Sequence, residues 1–297
     1  MIWPDDARPA VHHLQANGMF HRCLEWKGPP AGGPAVLLLH GLTSCAETWA
    51  FVAPALARGA RVLALDLRGH GDTDKPGHGY DFPTIRADIE GVMDRLDVGT
   101  ATLAGHSWGA SIAAMVAGQL PDRVDRLALV DGGFIGPARP APMSEEELER
   151  MLAPAHIYAS VGTYLGEVRR HFPGAWTAQI EAIALASIYR NDDGTVREKL
   201  DRGHQKLILQ GMFGQARETE YAAIRCPALM IAAESSDPAA AERMAAKRTR
   251  VDRTQQVVPQ VAVRWVPDTV HDIQLHRPEV LLEELTAFVS APAGAIQ

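Results

Sequence analysis

Unbroken apolar runs alternate along this chain with segments whose apolar residues recur at helical spacing. Ala35 to Leu39 (AVLLL) contains no polar residue, and similar runs occupy Arg61 to Leu65, Ala101 to Ala104, Leu127 to Val130, Cys226 to Ala232 and Val261 to Val266. Runs of this kind predict strands buried on both faces, as in a parallel sheet. An earlier strand is predicted over Phe20 to Trp26. Helices are predicted between the runs, over Thr48 to Arg58, Pro83 to Leu96, Ser111 to Leu120, Ala239 to Lys247 and Pro278 to Val289, the last with a proline suited to a first helical turn. Strands alternating with helices at this spacing imply an α/β protein with a mostly parallel sheet. Ligands of such sheets bind at the carboxyl ends of the strands.

The alternation breaks between Phe134 and about Tyr221, where no buried strand is expected. Ser144 to Glu147 reads as a capping box that opens a helix. Further helices are predicted around Gly162 to His171 and Trp176 to Ile188, with a turn at Asn191 to Gly194. A crossover between parallel strands needs only about a dozen residues. Residues 134–221 are therefore expected to be a helical insertion, with 1–133 and 222–297 forming the core around the sheet.

Composition narrows the function classes. The chain of 297 residues is 46% hydrophobic and 22% charged, in the range of a globular protein with a large core. No apolar run approaches about 18 residues, so no membrane span is expected. The first residues lack the basic and apolar regions of a signal peptide. Cys23, Cys45 and Cys226 are isolated, which suits neither a disulfide framework nor a zinc knuckle and points to a reducing, cytoplasmic setting. A net charge of −7 with no basic cluster argues against nucleic acid as a partner. There is no H-E-x-x-H, no G-x-G-x-x-G and no P-loop, so neither a metal nor a nucleotide cofactor is expected. The oligomeric state is not set by the sequence.

The chemistry concentrates in Gly105-His106-Ser107-Trp108-Gly109, which fits G-x-S-x-G between a predicted strand and a predicted helix. That pattern permits a sharp turn with serine at its tip, and the glycines leave room for the backbone to close on itself. A serine needs an adjacent base, itself oriented by a third group, to act as a nucleophile. His40, Asp66, Ser107 and Asp131 all fall at the carboxyl ends of predicted strands.

With His40-Gly41 after a strand, Asp66-Leu67-Arg68-Gly69-His70-Gly71, the serine turn, and His271 after the last strand, the chain resembles the α/β-hydrolase family over about Ala35 to Val289. The resemblance implies an α/β-hydrolase fold: an eight-stranded sheet flanked by helices, with a helical cap inserted after the sixth strand. It also implies a Ser–acid–His triad, with Ser107 as nucleophile and His271 as base. The oxyanion hole is expected from the backbone N–H groups of Leu42 and Trp108, with His40 and His70 holding loops.

Two residues compete for the acid. Asp131 ends a buried strand and is followed by Gly132-Gly133, a placement some members of the family use. Asp237 lies after the next strand, where most members place the acid, but one residue out of register with the usual Gly-x-x-Asp. Asp131 is preferred and Asp237 kept as the alternative. Gly41, His106, Tyr158 and Trp176 are candidates to contact substrate.

The activity implied is cofactor-free hydrolysis of a small-to-medium apolar ester or lactone through an acyl-enzyme. The alternatives are C–C cleavage of a diketone, perhydrolysis, or a ligand receptor on the same fold. A dehalogenase or epoxide hydrolase would need a carboxylate where this chain has Ser107.

Overall fold

The chain, seen here as a computed structural model that describes residues 2–29, 32–136, 143–152, 157–172, 174–213 and 218–292, begins its sheet with an antiparallel hairpin. Its strands are β1 (Ala10–Ala16) and β2 (Met19–Trp26). Then come β3 (Ala35–Leu39), the short helix α1 (Ala53–Leu56), β4 (Arg61–Leu65), α2 (Phe82–Arg95), β5 (Ala101–His106), α3 (Trp108–Gln119) and β6 (Val124–Val130). The intervening segment carries α4 (Glu145–Met151), β7 (Ile157–Tyr158), α5 (Val161–Arg169), α6 (Ala178–Ala186), β8 (Ile188–Arg190), β9 (Val196–Glu198), α7 (Arg202–Phe213) and α8 (Glu218–Ala222). The chain returns through β10 (Ala228–Ala233), α9 (Ala241–Val257), β11 (Val261–Val266), α10 (Ile273–His276) and α11 (Pro278–Ser290).

Eight strands make one sheet in the order β1-β2-β4-β3-β5-β6-β10-β11. β2 runs antiparallel to both its neighbours, and every other adjacent pair is parallel. The apolar runs behave as their composition requires. Alternate side chains of each strand point to opposite faces, and both faces are covered. Leu37, Leu39, Leu63, Leu65, Leu103 and Met230 pack with α2 and α3. Val36, Leu38, Val62, Ala104, Val130 and Ile231 pack instead with Trp49, α1 and α11. In α3 every residue from Trp108 to Ala117 is buried, as expected of a helix apolar all round.

Several expectations need correction. β1 was not anticipated, because Ala10 to Ala16 carries no continuous apolar run and is mostly exposed at the edge of the sheet. The helix expected over Thr48 to Arg58 is a 3₁₀ turn, Ala46–Trp49, followed by the single turn of α1. Most importantly, the stretch expected to be strandless holds β7, β8 and β9. They form a separate antiparallel sheet in the order β7-β9-β8, and none joins the main sheet. Strands of two or three residues leave no periodic signal to read.

This segment rests on loops that leave the carboxyl ends of β3 and β4. Ser187 Oγ lies 3.3 Å from Cys45 Sγ, Lys199 Nζ donates to Asp72 at 2.6 Å, and His204 Nε2 lies 2.9 Å from the Lys75 carbonyl. Its later helices also enter the main core, through Ile208 and Tyr221. Among the described residues no helix is long and apolar enough to cross a membrane.

Candidate active site

β5 ends at His106 and α3 begins at Trp108, so the whole change of direction falls on Ser107. Its backbone adopts φ 54° and ψ −116°, a conformation that costs a non-glycine residue about 1–3 kcal/mol. The Ser107 N–H donates to the Val130 carbonyl at 2.9 Å, which ties the turn to the next strand. The flanking glycines are there for space: a Cβ on Gly105 would lie 2.2 Å from the Gly109 carbonyl oxygen, and one on Gly109 would lie 2.4 Å from that of Leu39.

His271, in the loop after β11, meets this serine. Its Nε2 lies 2.9 Å from Ser107 Oγ and its Nδ1 lies 2.6 Å from Asp131 Oδ2. A carboxylate facing Nδ1 makes that nitrogen the donor, leaving Nε2 to accept the serine O–H. The His271 side chain is 53% exposed, so the serine–histidine edge is open to an incoming molecule. Asp131 is the reverse, 2% exposed, and sits at φ 40° directly after β6. Its Oδ1 accepts the Ala233 N–H at 2.8 Å. Burial pushes the Asp131 carboxyl up, but the His271 bond and the charge of Lys247 outweigh it and hold it below the usual range. Burial pulls His271 down, yet the Asp131 bond and charge leave it above its ordinary value.

The alternative acid is elsewhere. Asp237 is exposed and accepts from the Ala239 N–H at 2.9 Å, capping the short turn that precedes α9. Of the two candidates, Asp131 is the one the structure brings to His271.

The loop after β3 lies against the serine. A Cβ on Gly41 would be 3.1 Å from Ser107 Cβ and 3.0 Å from His106 Nδ1. Leu42 is the next residue after Gly41, and Trp108 is the first residue of α3, where first-turn N–H groups have no intrahelical acceptor. His40 fixes this loop: its Nε2 accepts the Leu67 N–H at 3.0 Å and its Nδ1 donates to the Gly41 carbonyl at 2.8 Å. That tautomer is neutral, and burial holds the His40 pKa down. His70 packs between the rings of His40 and Trp108, with centroids 4.9 and 5.4 Å away. Burial, with His40 beside it, drives His70 down to about 3.

Three substrate-contact expectations change. His106 is buried, with Nε2 3.0 Å from the His271 carbonyl and Nδ1 3.3 Å from Gln274 Nε2. It holds the His271 loop rather than facing the cleft. Tyr158 and Trp176 belong to the apolar cluster inside the inserted segment, where Tyr158 packs edge-on against Tyr164 at 5.1 Å. Their bulk is used to hold that segment together. Gly41 is the one of the four that lies against Ser107.

Cys45, Glu47 and Asp66 bring metal-ligand atoms within 4.8 Å of one another. A guanidinium already occupies the place of a cation there: Arg22 lies 2.8 Å from Asp66 and 2.5 Å from Glu47. The Cys45 thiol is pushed well up by burial and stays protonated.

Sequence reasoning missed Lys247 and Gln274. Lys247 bonds Asp131 across 116 positions, and Gln274 links Thr48 and His106. Neither belongs to a motif, so only the folded chain could reveal them.

With this geometry in place, comparison with known proteins gives the class. A sequence profile of the alpha/beta hydrolase fold matches residues 34–278, and the chain belongs to that family. The 2-(acetamidomethylene)succinate hydrolase of Mesorhizobium japonicum is 27% identical over 263 residues, covering 87% of this chain and 89% of that protein. The crystal structure of an E-2-(acetamidomethylene)succinate hydrolase shares the fold, with a TM-score of 0.77 at 24% identity over 95% of this chain and 100% of that one. The dihydrolipoyllysine-residue acetyltransferase component of an acetoin cleaving system from Pseudomonas putida is 37% identical over 130 residues, 44% of this chain. That match spans only 35% of the relative's length.

Proposed function

We propose that this chain is a cofactor-independent serine hydrolase that cleaves a small-to-medium apolar ester or lactone through an acyl-enzyme on Ser107. The observation that carries the proposal is the continuous relay Ser107 Oγ–His271–Asp131, with bonds of 2.9 and 2.6 Å. Ser107 gives its hydroxyl proton to His271 Nε2 as Oγ attacks the carbonyl carbon. The oxyanion that forms is held by the N–H groups of Leu42 and Trp108, and a single such donor is worth about 10²–10³ in rate. His271 then passes its proton to the departing alkoxide. A water activated by the same imidazole attacks the acyl carbon, and the carboxylic acid leaves as Oγ regains a proton. Asp131 remains ionised throughout, holding the tautomer and stabilising the imidazolium. In this reading residues 134–221 form a cap over the carboxyl edge of the sheet, and their docking on the loops after β3 and β4 supports it.

A second reading is favoured by the relative matched along nearly its whole length, whose name places an acetamido group in its substrate. The same relay would cleave an amide if His271 protonated the leaving nitrogen. A panel of p-nitrophenyl esters, lactones, N-acyl enamines and 1,3-diketones, run with the parent protein and Ser107→Ala, tests both readings. Turnover of an ester or lactone that Ser107→Ala abolishes supports the first, and turnover confined to the amide members supports the second. Turnover that survives in Ser107→Ala contradicts both.

A further inference from the structure

Lys247 occupies an unusual place for a surface-helix lysine. It lies on the inward side of α9, 17% exposed, and its ammonium makes three bonds. Nζ lies 2.8 Å from Asp131 Oδ1, 3.1 Å from Asp131 Oδ2 and 2.9 Å from the Ala233 carbonyl. An ammonium has three protons, so all its donors are committed to the acid and to the strand end that holds it. Each Asp131 oxygen in turn has two donors. Oδ1 takes the Ala233 N–H and Lys247, and Oδ2 takes His271 and Lys247.

We propose that Lys247 is a positioning residue that sets both the place and the basicity of Asp131, and through it the pH at which His271 becomes a competent base. The proposal rests on the assignment of Ser107, His271 and Asp131 as the reacting relay. A carboxylate that faces a histidine alone raises the proton affinity of that histidine strongly. An ammonium bound to the same two oxygens draws charge away from the imidazole and so opposes the rise. Among the described residues, these charged or titratable groups lie at His271 or at the acid bonded to it. Asp131 comes from the end of β6 and Asp272 from its own loop. His106 comes from the end of β5, with ring centroids 4.7 Å apart, and is kept neutral by burial. Lys247, from α9, is therefore the cation bound to the acid of the relay. Asp131 and Asp272 raise the His271 pKa, and Lys247 lowers it.

The consequence is a base that is free at lower pH than Asp131 alone would allow. Removing the charge moves the acidic limb of kcat/KM upward, because His271 then holds its proton to higher pH. The test is the pH profile of kcat/KM for Lys247→Met, Lys247→Gln and Lys247→Arg, with melting curves to establish folding and Ser107→Ala as a control. The limb is expected to rise by about 0.5–1 pH unit in Lys247→Met and Lys247→Gln, and to return close to the parent position in Lys247→Arg, which keeps the charge. Lys247→Gln keeps an amide donor, so it carries the measurement if Lys247→Met does not fold. A folded charge-removing variant whose limb stays at the parent position overturns the role assigned to Lys247, even if the enzyme is less stable or slower. Full activity in Ser107→Ala would overturn the relay assignment instead, so the two failures are distinguishable.

Discussion

The ring of His106, the residue immediately before Ser107, reaches the backbone carbonyl of His271 at 3.0 Å. One strand end thus leads into the serine and also fixes the main chain of the histidine hydrogen-bonded to it. Nδ1 of the same ring accepts from Gln274 at 3.3 Å, and Gln274 continues to Thr48 at 3.1 Å. The stretch after β11 is thus held from two elements of the core, the end of β5 and the 3₁₀ turn Ala46–Trp49.

His106→Phe keeps the volume but loses both bonds. It is expected to lower kcat by about 10²-fold through a small displacement of the His271 loop, and to cost about 1–3 kcal/mol from the buried partners left unpaired. Steady-state kinetics with a urea unfolding curve measures the two separately. Unchanged kcat in a folded variant would remove His106 from the positioning of the base.

Substitution at the two competing acids is expected to differ in kind. Asp131→Asn presents an amide to His271 Nδ1 and favours the wrong imidazole tautomer, with an expected loss of about 10⁴ in kcat. Asp237→Asn weakens an exposed cap, at a cost of about 1 kcal/mol or less, with turnover near the parent value. Kinetics and melting curves on both variants check this.

The parent pH profile follows from the same relay. His271 must be unprotonated to accept from Ser107, and Asp131 raises it above its ordinary value of 6.5. kcat/KM is therefore expected to rise with pH through a single group titrating above 6.5. An acidic limb at or below pH 6 would contradict that environment for His271.

Acid is expected to weaken the fold before most carboxylates titrate. Burial lowers the pKa of His21, His40, His70 and His106. Around and just below pH 6.5 each binds its proton more readily when unfolded than when folded, so the unfolded state gains as pH falls. Each contributes up to about 1.4 kcal/mol per pH unit between its unfolded and folded pKa. Unfolding free energies at pH 7, 6 and 5 are expected to fall with this sign. A flat profile would mean that these rings charge in the folded state.

Much of this architecture could be read from residue pattern alone. β3, β4, β5, β6 and β10 are inner strands buried between helices, and their apolar runs record that burial; β11, at the far edge, keeps an apolar run interrupted by the exposed Arg264. The serine turn was legible because only glycine tolerates the close approach its neighbours require. What escaped did so for physical reasons. β1 is an exposed edge strand, so its sequence lacks an apolar signature. β7, β8 and β9 are too short to show a period. His106 looked like a residue beside the cleft because a strand-end histidine reads the same whether it turns toward substrate or toward a neighbouring loop. Lys247 ends the helix predicted from Ala239 and belongs to no motif. Its bond to Asp131 depends on how α9 returns to the sheet, which no local pattern encodes.

The central claim is that Ser107 forms the covalent intermediate. Its most direct test is mass spectrometry after reaction with a fluorophosphonate, with peptide mapping of the adduct. One equivalent of label on Ser107 is predicted, lost in Ser107→Ala and strongly slowed in His271→Ala, where the base is missing. Labelling at another residue, or undiminished labelling of folded Ser107→Ala, would contradict the account.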